Sequence, residues 1–151
     1  MNKNLLNQQN AVRDTLVELR KRGYKWQGYR YTNKGRYCIV SGEPNVAILL
    51  KTEPFFNFGK KFKEQGQKGV GDSINTEHLK EFVQNNVKTI YIKFRDGKLY
   101  SISLKEFLEK SFRWVQKEGT VVRSCSIHYY GRVNKEEEDI KEIPIKILNK
   151  G

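Results

Sequence analysis

The chain has 151 residues and carries 29 Lys and Arg against 17 Asp and Glu, a formal net charge of +12 at pH 7. That length suits a single domain over 1–151, and 37% hydrophobic and 12% aromatic residues supply a ring-rich core, which excludes a collagen-like, mucin-like or wholly disordered chain. No apolar run approaches the ~20 residues that span a bilayer, so no membrane partner is expected, and the positive excess points to a polyanion, nucleic acid above all.

Only Ala11 and Ala47 supply alanine, so helices must come from patterned segments in a chain otherwise weighted toward strands. From Leu5 to Arg22, the residues Leu5, Val12, Leu16 and Leu19 share one face at helical period. Lys21 and Arg22 suit the last turn and Gly23 the C-terminal cap. Tyr24 to Ser41 reads as a hairpin turning at Asn33-Lys34-Gly35, and Val46 to Leu50 as a third, central strand. Residues 51–74 mix Phe55, Phe56, Phe58 and Phe62 with lysines and glycines and read as a long loop.

A second helix is expected over Thr76 to Asn85, capped by Asn75 or Thr76, with Leu79, Phe82 and Val83 on its inner face. Thr89 to Phe94 and Leu99 to Leu104 flank the Asp96-Gly97 hairpin signal, and Ser103 to Glu106 is a capping box opening a third helix. Strand patterns return after Arg113, with alternation from Val121 to Tyr130. Ile140 to Ile147 read as a last strand, which Pro144 confines to an edge. The expected class is α+β, or mixed α/β. It has a central mixed sheet, an N-terminal helix, one or two further helices, and a C-terminal β-rich extension over 112–151.

Cys38 and Cys125 lie in strand-like stretches and read as small buried hydrophobes. With His78 and His128 they show no paired ligand spacing, so no zinc is expected. Met1-Asn2-Lys3-Asn4 leads into a polar segment rather than a signal-peptide core, and an intracellular, cytoplasmic location is expected.

Residues 1–71 hold 14 basic and 5 acidic residues, so most of the charge excess falls in the first half. Lys60, Lys61, Lys63 and Lys68 lie in the glycine-bearing loop, and Lys25, Arg30, Lys34 and Arg36 on or near the first hairpin. Such clusters bind phosphates by releasing counterions. On the same hairpin, Trp26 and Tyr29 interleave with the cations and offer rings on which bases can stack. Gly66 to Ser73 has a superficial likeness to a phosphate loop, but it lacks the G-x-x-x-x-G-K-[ST] order and reads as a connector.

Over residues 5–108 the order is helix, strand, strand, strand ending in Lys51, helix, strand, strand. It is similar to the PD-(D/E)xK nuclease fold, restriction-endonuclease-like, and to archaeal Holliday-junction resolvases in particular. The resemblance implies hydrolysis of DNA phosphodiesters with Mg²⁺ held by carboxylates and a lysine that activates water or stabilises charge. Lys51 matches the family lysine. Leu49 stands where the family has Asp or Glu, and no acid lies between Gly35 and Val40. Substitute carboxylates are Glu18, Glu43, Glu53 and Asp72, with Glu53 and Asp72 the favoured metal ligands because they share the basic, glycine-bearing region. Three readings follow: a metal-dependent DNA nuclease with displaced carboxylates, a non-catalytic DNA- or RNA-binding protein on that scaffold, or an interaction module that binds an acidic partner or homodimerises through its C-terminal strands, with Ile140 to Leu148 adding to a sheet edge.

Overall fold

A computed structural model describes residues 3–32, 37–51, 71–95, 97–126 and 129–133. Helix α1 spans Lys3–Lys21 and ends at Gly23, whose φ of +95° is open to glycine without strain. The Gly23 amide bonds the Arg20 carbonyl and the Tyr24 amide the Leu19 carbonyl, which satisfies the last carbonyls of the helix. Strands β1 (Trp26–Tyr31), β2 (Tyr37–Gly42) and β3 (Asn45–Lys51) then form an antiparallel meander.

After residue 70 comes a short strand, β4 (Gly71–Asn75), followed by α2 (Thr76–Gln84), β5 (Val87–Phe94), β6 (Leu99–Ser103) and α3 (Leu104–Lys110). The described chain closes with β7 (Phe112–Val115), β8 (Val121–Ser126) and β9 (Gly131–Arg132). The fold is α+β. Its main sheet has the order β1-β2-β3-β5-β6-β9, and a second sheet the order β4-β8-β7. The main sheet is mixed because β3 and β5 run parallel at its centre, with Lys51 opposite Phe94.

Local chemistry explains the element starts. The Asn75 side chain accepts from the Glu77 amide at 2.8 Å to cap α2, and Ser103 Oγ accepts from the Glu106 amide at 2.9 Å to cap α3. Gly97, at φ +96°, turns β5 into β6.

Strand alternation sends side chains to two cores. On one face Cys38, Val40, Val46, Ile48 and Tyr91 pack under Val12, Leu16 and Leu19 of α1. On the other, Ile39, Ala47, Leu49, Ile90 and Ile92 pack under Leu79 and Phe82 of α2, Phe107 of α3, and Ile74 and Cys125 of the small sheet. Both cysteines are thus buried outside any disulfide, in different cores, as expected of small hydrophobes.

Two sequence expectations need correction. Residues 71–75 are not the end of a loop: they form β4, held by antiparallel pairing with β8 from Gly71–Ser126 to Asn75–Val122. The alternation from Val121 does not carry a strand as far as Tyr130, because Tyr129 and Tyr130 are not in a strand. In the described part of the segment after 112, β7 and β8 pair with β4 in the small sheet that packs on the core, while β9 lengthens the main sheet. The last expected strand, Ile140 to Ile147, lies outside the described residues. Among the described residues, no helix is long and apolar enough to cross a membrane.

Candidate nucleic-acid interface

Strand β1 is an edge strand, and its register against β2 shifts between Trp26 and Gly28. Trp26 lies opposite Gly42 and Gly28 opposite Ser41, so the strand carries one extra residue there. In a regular strand, residues 26 and 29 would point to opposite faces. The bulge puts them on the same face, with ring centroids 6.1 Å apart and edge to face. Tyr31 follows 6.2 Å from Tyr29, also edge to face. The result is a ladder of three rings beside α1. Trp26 and Tyr31 lean on the core under α1, while Tyr29 stands 51% exposed.

Helix α1 builds the facing wall. Gln9, Arg13, Leu16, Val17 and Arg20 fall at helical spacing on the flank next to its buried stripe. Together with the ladder they enclose a groove of about 700 Å³. The Arg20 guanidinium lies 4.7 Å from the centroid of the Trp26 ring, a cation–π pair that holds the charge beside the ladder. Arg13 and Lys21 add two further cations, and among the described residues no carboxylate lines the groove. Glu18, one turn away, is occupied by Arg22 at 3.0 Å. Burial and the neighbouring Cys38 and Tyr29 push the Tyr31 hydroxyl up to about 12, so it stays a neutral donor at physiological pH.

Trp26 and Tyr29 therefore meet in one place, joined by three cations that the sequence reading did not assign to the site. Arg13 and Arg20 were overlooked, and Lys21 was read only as a helix-end charge. Their seven-residue spacing, two turns of one helix, was the available signal. Arg30 lies elsewhere. It points to the α2 side of the sheet, where it bonds Glu81 at 3.2 Å and Asn85 at 2.9 Å. Lys25 is exposed just before β1, and its carbonyl receives the Glu43 amide. Lys34, Arg36, Lys60, Lys61, Lys63 and Lys68 lie outside the described residues.

The residues drawn from the nuclease resemblance separate. Lys51 ends β3 on the α2 side, half-buried, with Nζ donating to the Ser73 carbonyl at 3.0 Å and lying 5.8 Å from the Tyr37 ring centroid. Asp72 is the β4 residue next to Ser73, in register with Cys125. Glu18 sits on α1, across the sheet from Lys51. Glu43 lies in the β2–β3 turn, at the other end of β3, roughly 20 Å away at strand rise. Glu53 lies outside the described residues. Leu49 is wholly buried in the core, so its position offers nothing to a solvent-borne ion.

Magnesium takes oxygen ligands in octahedral geometry, usually one or two carboxylates completed by phosphate and water. Among the described residues no group of three or more His, Cys, Asp or Glu is placed to hold a metal, and Asp72 is the one candidate carboxylate position beside Lys51. These residues alone do not make a magnesium site. Comparison with family models, with curated proteins and with solved structures finds no match to this chain.

Proposed function

We propose that this protein binds nucleic acid, DNA in the first instance, through the face formed by α1 and β1. The reading rests on the groove between them, where Arg13, Arg20 and Lys21 stand beside Trp26, Tyr29 and Tyr31 with no carboxylate among the described lining residues. Cations there can neutralise phosphates and release counterions, while the rings accept base faces. The net charge of +12 adds long-range attraction at low salt. The test is the salt dependence of DNA binding. Log affinity should fall linearly with log salt, and Arg20→Ala/Lys21→Ala should flatten that slope by about 1 to 2. An unchanged slope places the phosphate contacts on another face.

A second reading, divalent-metal hydrolysis of DNA, is supported by one observation: the Lys51 ammonium is held one residue from Asp72. It needs at least one more carboxylate than the described residues supply, and Glu53 is the candidate. Incubation with linear and branched DNA in Mg²⁺ or Mn²⁺ tests it. Cleavage that is lost in both Lys51→Ala and Asp72→Ala supports the site, and equal cleavage by wild type and variants removes it.

A further inference from the structure

We propose that the α1–β1 groove takes an unpaired strand of DNA, with a base stacked on Tyr29, in preference to a duplex. The inference rests on the nucleic-acid reading above and narrows its ligand. Three features carry it.

The first is the orientation of the rings. Trp26 and Tyr31 meet Tyr29 at steep interplanar angles of 61° and 89°, so neither is stacked parallel on it, and Tyr29 is 51% exposed. A ring face of this kind is satisfied by another flat π-surface. In a duplex both faces of each base are already taken by their neighbours, so only a base outside a stack can offer one.

The second is size. A concavity of about 700 Å³ lies in the range of roughly 300–1,000 Å³ that encloses small ligands, which suits one or two nucleotides. A double helix is too wide to enter and could touch only the rim.

The third is the distribution of polarity. The cations Arg13 and Lys21 are exposed, where phosphates would pass, while Leu16 and Val17 contribute apolar surface between them and the rings. A sugar laid on that surface loses water while its phosphates stay with the cations.

The molecule carries its own reporter. Trp26 belongs to the ladder, whereas Trp114 is on β7 with its Nε1 donating to Ser124 Oγ at 2.7 Å. In a Trp114→Phe background, intrinsic fluorescence reports on the groove. Titration with oligo(dT), oligo(U) and a DNA duplex of equal phosphate number should give saturable quenching, with oligo(dT) bound tightest. Tyr29→Ala should weaken oligo(dT) binding by about 5- to 100-fold with the salt slope unchanged, and Tyr29→Phe should restore it. Arg13→Ala/Lys21→Ala should lower the slope instead. Circular dichroism confirms that each variant is folded, as expected for exposed positions.

Duplex binding equal to or tighter than oligo(dT), or a Tyr29→Ala variant of wild-type affinity, overturns this inference and leaves the broader reading standing. Tighter binding of oligo(U) overturns the assignment to DNA. Absence of binding to all three overturns both.

Discussion

The Lys51 ammonium donates to the Ser73 carbonyl at 3.0 Å and thereby ties the centre of the main sheet to the edge of the small one. The bond is charge-assisted and half-buried, so its loss should register in stability as well as in any chemistry at that end of the sheet. Lys51→Met keeps the aliphatic stem over Tyr37 and removes the donor. It is expected to cost about 1–2 kcal/mol in urea denaturation. An unchanged midpoint would show that water replaces the ammonium without penalty.

Leu49 stands where the nuclease resemblance would call for a carboxylate, but it is 0% exposed and packed between the sheet and its helices. Leu49→Glu would set an acid two residues before Lys51 and bury an unpaired charge. Loss of the cooperative thermal transition, or a destabilisation of about 3 kcal/mol or more, is the expected outcome. A stable Leu49→Glu variant would mean that this end of β3 opens to water. Leu49→Ala, by comparison, should cost about 2–5 kcal/mol through cavity formation alone.

Arg30 and Arg20 provide a contrast. Arg30 is paired with Glu81 and Asn85 on the α2 side, whereas Arg20 faces the groove over Trp26. Arg30→Ala should cost about 0.2–1 kcal/mol of stability and leave the salt slope of DNA binding unaltered. Arg20→Ala should reduce the slope by about 1. The reverse pattern would transfer the interface to the other side of the sheet.

At Gly42 there is no room for a side chain. An added Cβ would lie 2.7 Å from the Lys25 carbonyl and closer still to the Tyr24 hydroxyl. That hydroxyl donates to the Pro44 carbonyl and fixes the β2–β3 turn against the start of β1. Gly42→Ala should therefore lower stability by about 1–3 kcal/mol, measurable as a fall in the thermal midpoint.

Alkaline pH should loosen the core under α1. Burial pushes the Cys38 thiol from an ordinary 9.0 up to about 12, against a partial opposing pull from Arg30. Burial also raises Tyr31 to about 12 and moves Tyr24 and Tyr91 upward. The folded state holds these protons more tightly than the unfolded state, so their contribution is complete below pH 9 and is lost as pH rises from about 9 through 12. Denaturation midpoints should decline over that window, less steeply in Cys38→Val. Neither thiol should react with an aromatic disulfide reagent at pH 8 until the protein is unfolded.

Features set by neighbours in sequence were the readable ones. The cap at Asn75, the capping box at Ser103, the Gly97 turn and the central position of β3 follow from residues within a few positions of one another. Strand β4 was hidden because Gly-Asp-Ser-Ile-Asn has no strand character of its own; its conformation comes from pairing with β8, far along the chain. The ring ladder was only half visible. Trp26 and Tyr29 stand at an odd spacing that assigns them to opposite faces, and only the extra residue between Trp26 and Gly28 brings them together. The dispersal of Glu18, Glu43 and Lys51 is equally non-local, since it depends on which face and which end of the sheet each one reaches.

The parallel pairing of β3 with β5 also has a consequence during synthesis. When the ribosome has delivered the chain as far as Lys51, α1 can already shield Val40, Val46 and Ile48. Ile39, Ala47 and Leu49 on the reverse side have no cover yet, because Ile74, Leu79, Phe82, Ile90 and Phe107 are still to come. The nascent chain thus presents a bare apolar surface until most of the protein has emerged. Premature termination soon after β3 would release a fragment with that surface open to its neighbours.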